Sequence, residues 1–286
     1  MSRPVHVLTD SASDLDPEDA AALGCTVIPV PVYFGSDAYE DRVTITPEVF
    51  FQRLQSEKIV PKTSQPTPTA IATALQRLVD AGHDVLMLCM SGRMSSTAGS
   101  ARQIAERLSR DHIVVVDTLQ ISFSEQVVVR AVVNYVRSGA SLEEAVRYAE
   151  EVRHRAHILG VLRTLEYLQR NGRIGRVAGV VGGLLSLKIV VGVEDGVLSP
   201  VDRVRTWPRA LQSIEDLVVG SAPFEGPIII GHAANREDAE ALLTRLKERL
   251  PEPAFVLQEI GPVVGAHSGP GAVGVAFLQE ARTDRA

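Results

Sequence analysis

The stretch TPTAIATALQRLVDAGHDVLMLCM, residues 67–90, decides the fold class. Thr67 offers a side-chain acceptor to the free amides that open a helix, and Pro68 sits at the first helical position, where its missing N–H is not needed. Ile71, Ala74, Leu75, Leu78 and Val79 then fall on one face, at the 3.6-residue period of a helix packed on a sheet. The apolar run Asp84–Met90 follows and reads as a buried strand. Working outward, Val5–Leu8, Thr26–Phe34 and His112–Asp117 are further strand candidates. Asp16-Pro17-Glu18 and Thr46-Pro47-Glu48 repeat the cap, the Pro and an acid at the positive end of the helix dipole. Ser141-Leu-Glu-Glu144 is a capping box, and Asn235-Arg-Glu-Asp238 resembles one. Strand–helix alternation of this kind gives an α/β fold with parallel pairing over the first half.

The second half reads as a mixed α/β domain. Ile158–Leu162, Lys188–Val193, Pro227–Gly231, Phe255–Ile260 and Gly274–Gln279 are its strand candidates. Glu194-Asp195-Gly196 between two β-rich runs signals a hairpin. The last two strands are separated only by a Gly-rich connection, so antiparallel pairs with helices on one side are expected. At about 150 residues per domain, 286 residues suggest two domains. The boundary is placed after the Arg/His-rich stretch Arg153–His157, giving 1–158 as an N-terminal α/β domain and 159–286 as a C-terminal mixed domain.

Composition narrows the function classes. Hydrophobic residues make up 45% and charged residues 22%, which excludes disordered and fibrous chains. The longest weakly polar run, Val177–Val193, contains Ser186 and Lys188 and falls short of the ~20 apolar residues of a membrane span. The N-terminus enters a strand without a signal-peptide core, and two cysteines, Cys25 and Cys89, make neither a disulfide framework nor a zinc site. A cytoplasmic location is therefore expected. A net charge of −6 argues against general nucleic-acid binding.

Most recognisable motifs fail on context. Gly269-Pro-Gly-Ala-Val-Gly274 matches a dinucleotide fingerprint, but a strand pattern follows it where a helix should, so a tight turn is expected. Ser91, Ser95 and Ser96 and His267 are available to a hydrolase, yet there is no G-x-S-x-G elbow. The hydroxyls of Ser91–Ser100 instead cluster after a strand, at a helix start, as caps or as donors to an anion. The seven histidines show no metal-binding spacing. His267 stands apart, in a Gly-rich segment that allows close backbone approach. Arg170-Asn-Gly-Arg-Ile-Gly-Arg176 fits either an acid or phosphate contact or a helix C-terminus ended by Gly172. Val177–Leu185 fits either a core helix or the wall of an apolar tunnel.

Four segments together resemble the DegV family. They are Thr9-Asp-Ser-Ala-Ser-Asp14, Thr63-Ser-Gln-Pro-Thr-Pro68, Ser91–Ala101 and Gly261-Pro-Val-Val-Gly-Ala-His-Ser-Gly-Pro-Gly271. Gly172-Arg-Ile174 and the Lys188–Arg205 hairpin keep the family order. The third motif departs from the pattern, with Ser96 for Gly and Ala98-Gly99 for Tyr-Gln. The resemblance implies two α/β domains with a long-chain fatty acid buried between them as ligand and no further cofactor. It implies that Thr63, Ser95 and His267 bind the carboxylate, with Ser64, Ser91, Ser96 and Arg173 in support. It further implies a non-enzymatic carrier that presents the carboxyl group to a separate ATP-dependent fatty acid kinase, which makes an acyl phosphate for phospholipid synthesis. The chain has no nucleotide motif of its own, which fits a carrier. Arg203 and Arg205, two apart on the hairpin, are candidate kinase contacts or a solvated strand edge. The competing expectations are an acyl-ester hydrolase or transferase using Ser95 and His267, and a lipid sensor that meets no kinase.

Overall fold

The computed structural model describes residues 3–57, 59–108, 111–180 and 187–281. Its first half runs β1 (Val5–Asp10), α1 (Pro17–Leu23), β2 (Thr26–Ile28), β3 (Pro31–Phe34), β4 (Asp37–Glu40), α2 (Pro47–Ser56), β5 (Lys62–Thr63), α3 (Pro68–Asp80), β6 (Asp84–Cys89), α4 (Thr97–Leu108), β7 (Ile113–Asp117), α5 (Phe123–Arg137) and α6 (Leu142–Val152). The second half continues with β8 (Ala156–Val161), α7 (Glu166–Arg170), β9 (Lys188–Glu194), β10 (Val197–Val204), α8 (Trp207–Val219), β11 (Phe224–His232), α9 (Arg236–Arg249), β12 (Phe255–Glu259), α10 (Pro262–Ser268) and β13 (Val273–Gln279). β8 opens its sheet at Ala156, inside the 1–158 segment.

These strands form three sheets. The order β2-β1-β6-β7 is parallel throughout, as the alternation required. Ile71 and Leu75 of α3 are fully buried against it, with Ala98, Ala101 and Ala105 of α4 alongside. The order β10-β9-β8-β13-β11-β12 is antiparallel except between β11 and β12. A small antiparallel sheet, β4-β3-β5, completes the set.

Helix α5 joins the two large sheets, packing on β1 of the first and on β8, β11 and β13 of the second. Val127, Val128, Val129, Val132 and Val133 are all buried there. β-branched residues lose ~0.5 kcal/mol each in a helix, but burying a Val side chain gains ~1.5–3 kcal/mol, so burial on two sides sets the conformation. Phe123 at its start seats against Gly231 of β11, where an added Cβ would lie 1.9 Å from the ring. One apolar core therefore runs from Val7, Leu86 and Leu88 through α5 to Ile229, Ala276 and Leu278.

Several local expectations need correction. Thr26–Phe34 is two strands in two sheets, because Pro29 cannot donate to a ladder and the chain bends between Ile28 and Pro31. The Gly-rich connection near the end holds α10, with Gly261 as N-cap and Pro262 at its first turn. β12 and β13 consequently do not pair; they flank β11, one parallel and one antiparallel. Helices lie on both faces of the mixed sheet: α8 and α9 on one, α5 on the other. Asn235 makes no cap bond, and its Nδ2 donates instead to Asp238 Oδ2 and Gly271 O. Asp16 likewise makes none, because it pairs with Arg42.

Other features form as read. Ser141 and Glu144 make the reciprocal capping box, and Thr46 and Thr67 accept from Val49 and Ala70. Asp195 and Gly196, with φ of 49° and 76°, make the two-residue turn of the β9–β10 hairpin. Gly269 and Gly271 form a tight turn with positive φ, packed under Tyr167 and Arg163. Within Val177–Leu185, Val177 is buried against Ile189 and Val191, while residues 181–185 lie outside the described residues. No helix among the described residues is long and apolar enough to cross a membrane.

Candidate functional site

A cavity of about 190 Å³ lies between the two large sheets. Its wall is mostly apolar and comes from both halves, with Met90, Ile121 and Phe123 on one side and Ile158, Leu162 and Val191 on the other. Gly160 and Gly274 pair across β8 and β13 and line the cavity without adding side chains to it.

Thr63, Ser95 and His267 all line this cavity. Thr63 sits in β5, held by pairing with Val32 of β3. Ser95 lies in the loop between β6 and α4, at the carboxyl end of the parallel sheet, where open α/β sheets form crevices. His267 is in the last turn of α10. Thr63 Oγ1 and His267 Nε2 are 2.9 Å apart, a hydrogen bond across 204 residues of sequence. His267 Nδ1 is buried without a hydrogen-bond partner. Burial, and then the nearby Arg173 charge, push the imidazole pKa down to about 4, so it is neutral at pH 7. Ser95 Oγ is 2.9 Å from Thr97 Oγ1 and accepts from Thr97 N–H. His267 is bonded to Thr63 rather than Ser95, so it is not aligned as a base on the Ser95 hydroxyl.

The supporting residues divide. Ser64, Ser96 and Arg173 line the cavity. Ser64 Oγ donates to Gln65 O at 3.1 Å. Arg173 is steered by two carbonyls, Nε donating to Met94 O and Nη1 to Asn171 O. Ser91 is fully buried and faces the hairpin turn, donating to Gly196 O at 2.6 Å. The other two arginines of the Arg170–Arg176 stretch are in ion pairs, Arg170 with Glu166 and Arg176 with Glu194 and Asp195. Arg203 is exposed on β10, an edge strand, and Arg205 is exposed one residue past the strand's end. Asn171 had no role in the sequence reading. Its Nδ2 donates to Pro61 O and to Ala266 O, tying the Thr63 segment to the His267 helix.

The family model described as "Uncharacterised protein, DegV family" matches residues 4–280. The chain belongs to the DegV family. A DegV domain-containing protein of Deinococcus radiodurans is 34% identical over 276 residues, covering 96% of this chain and 98% of the relative. Among solved structures, a fatty-acid-binding DegV family protein of Thermus thermophilus superposes with a TM-score of 0.89 at 28% identity, over 97% of this chain and all of that one. A DegV lipid-binding protein of Thermotoga maritima gives 0.86 at 25% identity, over 99% and 100%. In this DegV chain, Ser96 brings a hydroxyl to the cavity wall where the family pattern has Gly, and Ala98 is buried against the parallel sheet.

Proposed function

We propose that this protein is a fatty-acid carrier that buries an acyl chain in the intersheet cavity and presents its carboxyl group to a separate ATP-dependent fatty acid kinase. The observation that carries the reading is an apolar cavity lined by Thr63, Ser95 and His267, the first and last already hydrogen-bonded at 2.9 Å. Each buried CH₂ gives ~0.8 kcal/mol, so a long chain supplies gross binding of order 10 kcal/mol. The head group is the costly part, since a carboxylate taken from water needs donors. If His267 Nε2–H donates to Thr63 Oγ1, the Thr63 hydroxyl hydrogen is left for the carboxylate. Ser95 adds a second hydroxyl, and Arg173 lends positive charge at the wall. The descriptions of the Thermus and Thermotoga relatives as fatty-acid- and lipid-binding support the same reading. A kinase partner fits a site whose His267 is bonded to Thr63 rather than to Ser95, and Arg203 on the β10 edge with Arg205 just past it are the contacts assigned to it.

Native mass spectrometry of protein purified from a bacterial host tests this. The expected result is a mass surplus of one fatty acid per chain, released by chloroform extraction. Protein that is empty and also takes up neither oleate nor palmitate would sink the carrier reading.

A further inference from the structure

The segment Asp10-Ser-Ala-Ser-Asp14 carries none of the head-group contacts, yet its three polar anchors are fully buried. It leaves the carboxyl end of β1 as a short 3-10 turn closed by Asp14 in the left-handed region, at φ 54°, which Asp tolerates. From that turn its side chains reach three distant segments. Asp10 Oδ2 accepts Met90 N–H at 3.1 Å, at the root of the loop that carries Ser95. Ser11 Oγ accepts Val30 N–H at 3.0 Å, one residue before β3, whose Val32 pairs with Thr63. Asp14 Oδ1 accepts Gly261 N–H at 2.7 Å, at the N-cap of α10, which carries His267. Asp14 Oδ2 also accepts from Ser122 Oγ at 2.6 Å, and Arg42 lies 3.5 Å away to balance the charge.

We propose that Asp10, Ser11 and Asp14 are positioning residues for the head-group site, each fixing the segment that brings in Ser95, Thr63 and His267 respectively. The inference rests on the carrier reading, since it needs those three groups to act on a carboxylate. A carboxylate buried for bulk stability alone is outdone by an apolar side chain of the same volume, whereas one aimed at a backbone N–H fixes where that segment sits. All three anchors leave one turn, so they hold three segments far apart in sequence in a common frame.

The test compares oleate with methyl oleate, which has the same chain and no carboxylate, by calorimetric titration of delipidated protein. Asp10→Asn and Asp14→Asn are expected to weaken oleate binding about five- to tenfold and methyl oleate less than twofold, because a charge-assisted bond becomes an ordinary one. Asp14→Asn should also shift the His267 imidazole ¹⁵N resonances, and Asp10→Asn should leave them in place. Ser11→Ala removes a single hydroxyl and keeps both carboxylates; it is expected to lower oleate affinity about threefold and decides the matter if the Asp variants do not fold. An unchanged oleate-to-methyl-oleate ratio in a tightly binding background, or equal weakening of both ligands, overturns the inference alone. Wild-type protein that binds neither ligand overturns the carrier reading and the inference with it.

Discussion

Thr63→Val tests the head-group site most directly. Val keeps the shape of Thr, suits a strand and removes only the hydroxyl, whose recorded bond is to His267 Nε2 at 2.9 Å. In the empty protein the change leaves His267 without a partner on either nitrogen, since Nδ1 is already buried and unpaired. That costs about 1–3 kcal/mol, so the melting temperature should fall by several degrees. In the complex, a hydrogen bond to a charged carboxylate is lost, worth ~1.5–3 kcal/mol, or roughly ten- to hundredfold in Kd. The bound carboxylate also gives His267 a new acceptor, so part of the cost to the empty protein is recovered on binding. The expected net loss is therefore near the low end, about tenfold. Calorimetric titration of delipidated protein with oleate reads it, with Thr63→Ser as the variant that should restore wild-type affinity. A Kd for Thr63→Val within twofold of wild type would refute the assignment of Thr63 to the carboxylate.

Arg205→Glu should leave bound lipid intact and slow acyl-phosphate formation by a partner kinase, most strongly at low ionic strength, because rim charges steer encounter and are screened by salt; loss of lipid in that variant would show that Arg205 shapes the cavity instead. The His267 pKa of about 4 lies below the ordinary 6.5, so the unfolded chain takes up the proton first as pH falls. Its stability contribution is complete above pH 6.5, drains away towards pH 4 and is flat below, about 3 kcal/mol in all. Buried Asp10 and Asp41, raised to about 6 and about 7, pull in the opposite sense. The measurement is accordingly the difference in urea midpoint between wild type and His267→Gln across pH 4–7, and a pH-independent difference would contradict it. Gly231→Ala should destabilise the fold by about 1–3 kcal/mol and displace Phe123 from the cavity wall, since the new Cβ would lie 1.9 Å from the ring; an unchanged unfolding temperature would show that Phe123 has room to move.

Local signals were legible where the physics is local. The α3 stripe, the Ser141 box and the Asp195-Gly196 turn depend on residues a few positions apart, and each formed as read. Expectations went astray where distant partners intervened. Asn235 is drawn from its cap by Gly271, and Asp16 from its own by Arg42.

The sequence by itself determined the α/β class, the parallel first half and the mixed second half, because strand and helix periods repeat within a few residues and need no partner to be read. It also pointed to Thr63, Ser95 and His267, through motifs of rare composition lying in family order, and all three line the cavity. Only the tertiary structure decided that Thr63 and His267 touch, that Asn171 ties their segments together, that Ser91 faces the hairpin turn, and that Asp10, Ser11 and Asp14 reach Met90, Val30 and Gly261. Those contacts span 19 to 247 residues of sequence. No local pattern encodes them, because a hydrogen-bond partner so far along the chain is selected by the packing of whole sheets around α5 rather than by its neighbours in sequence.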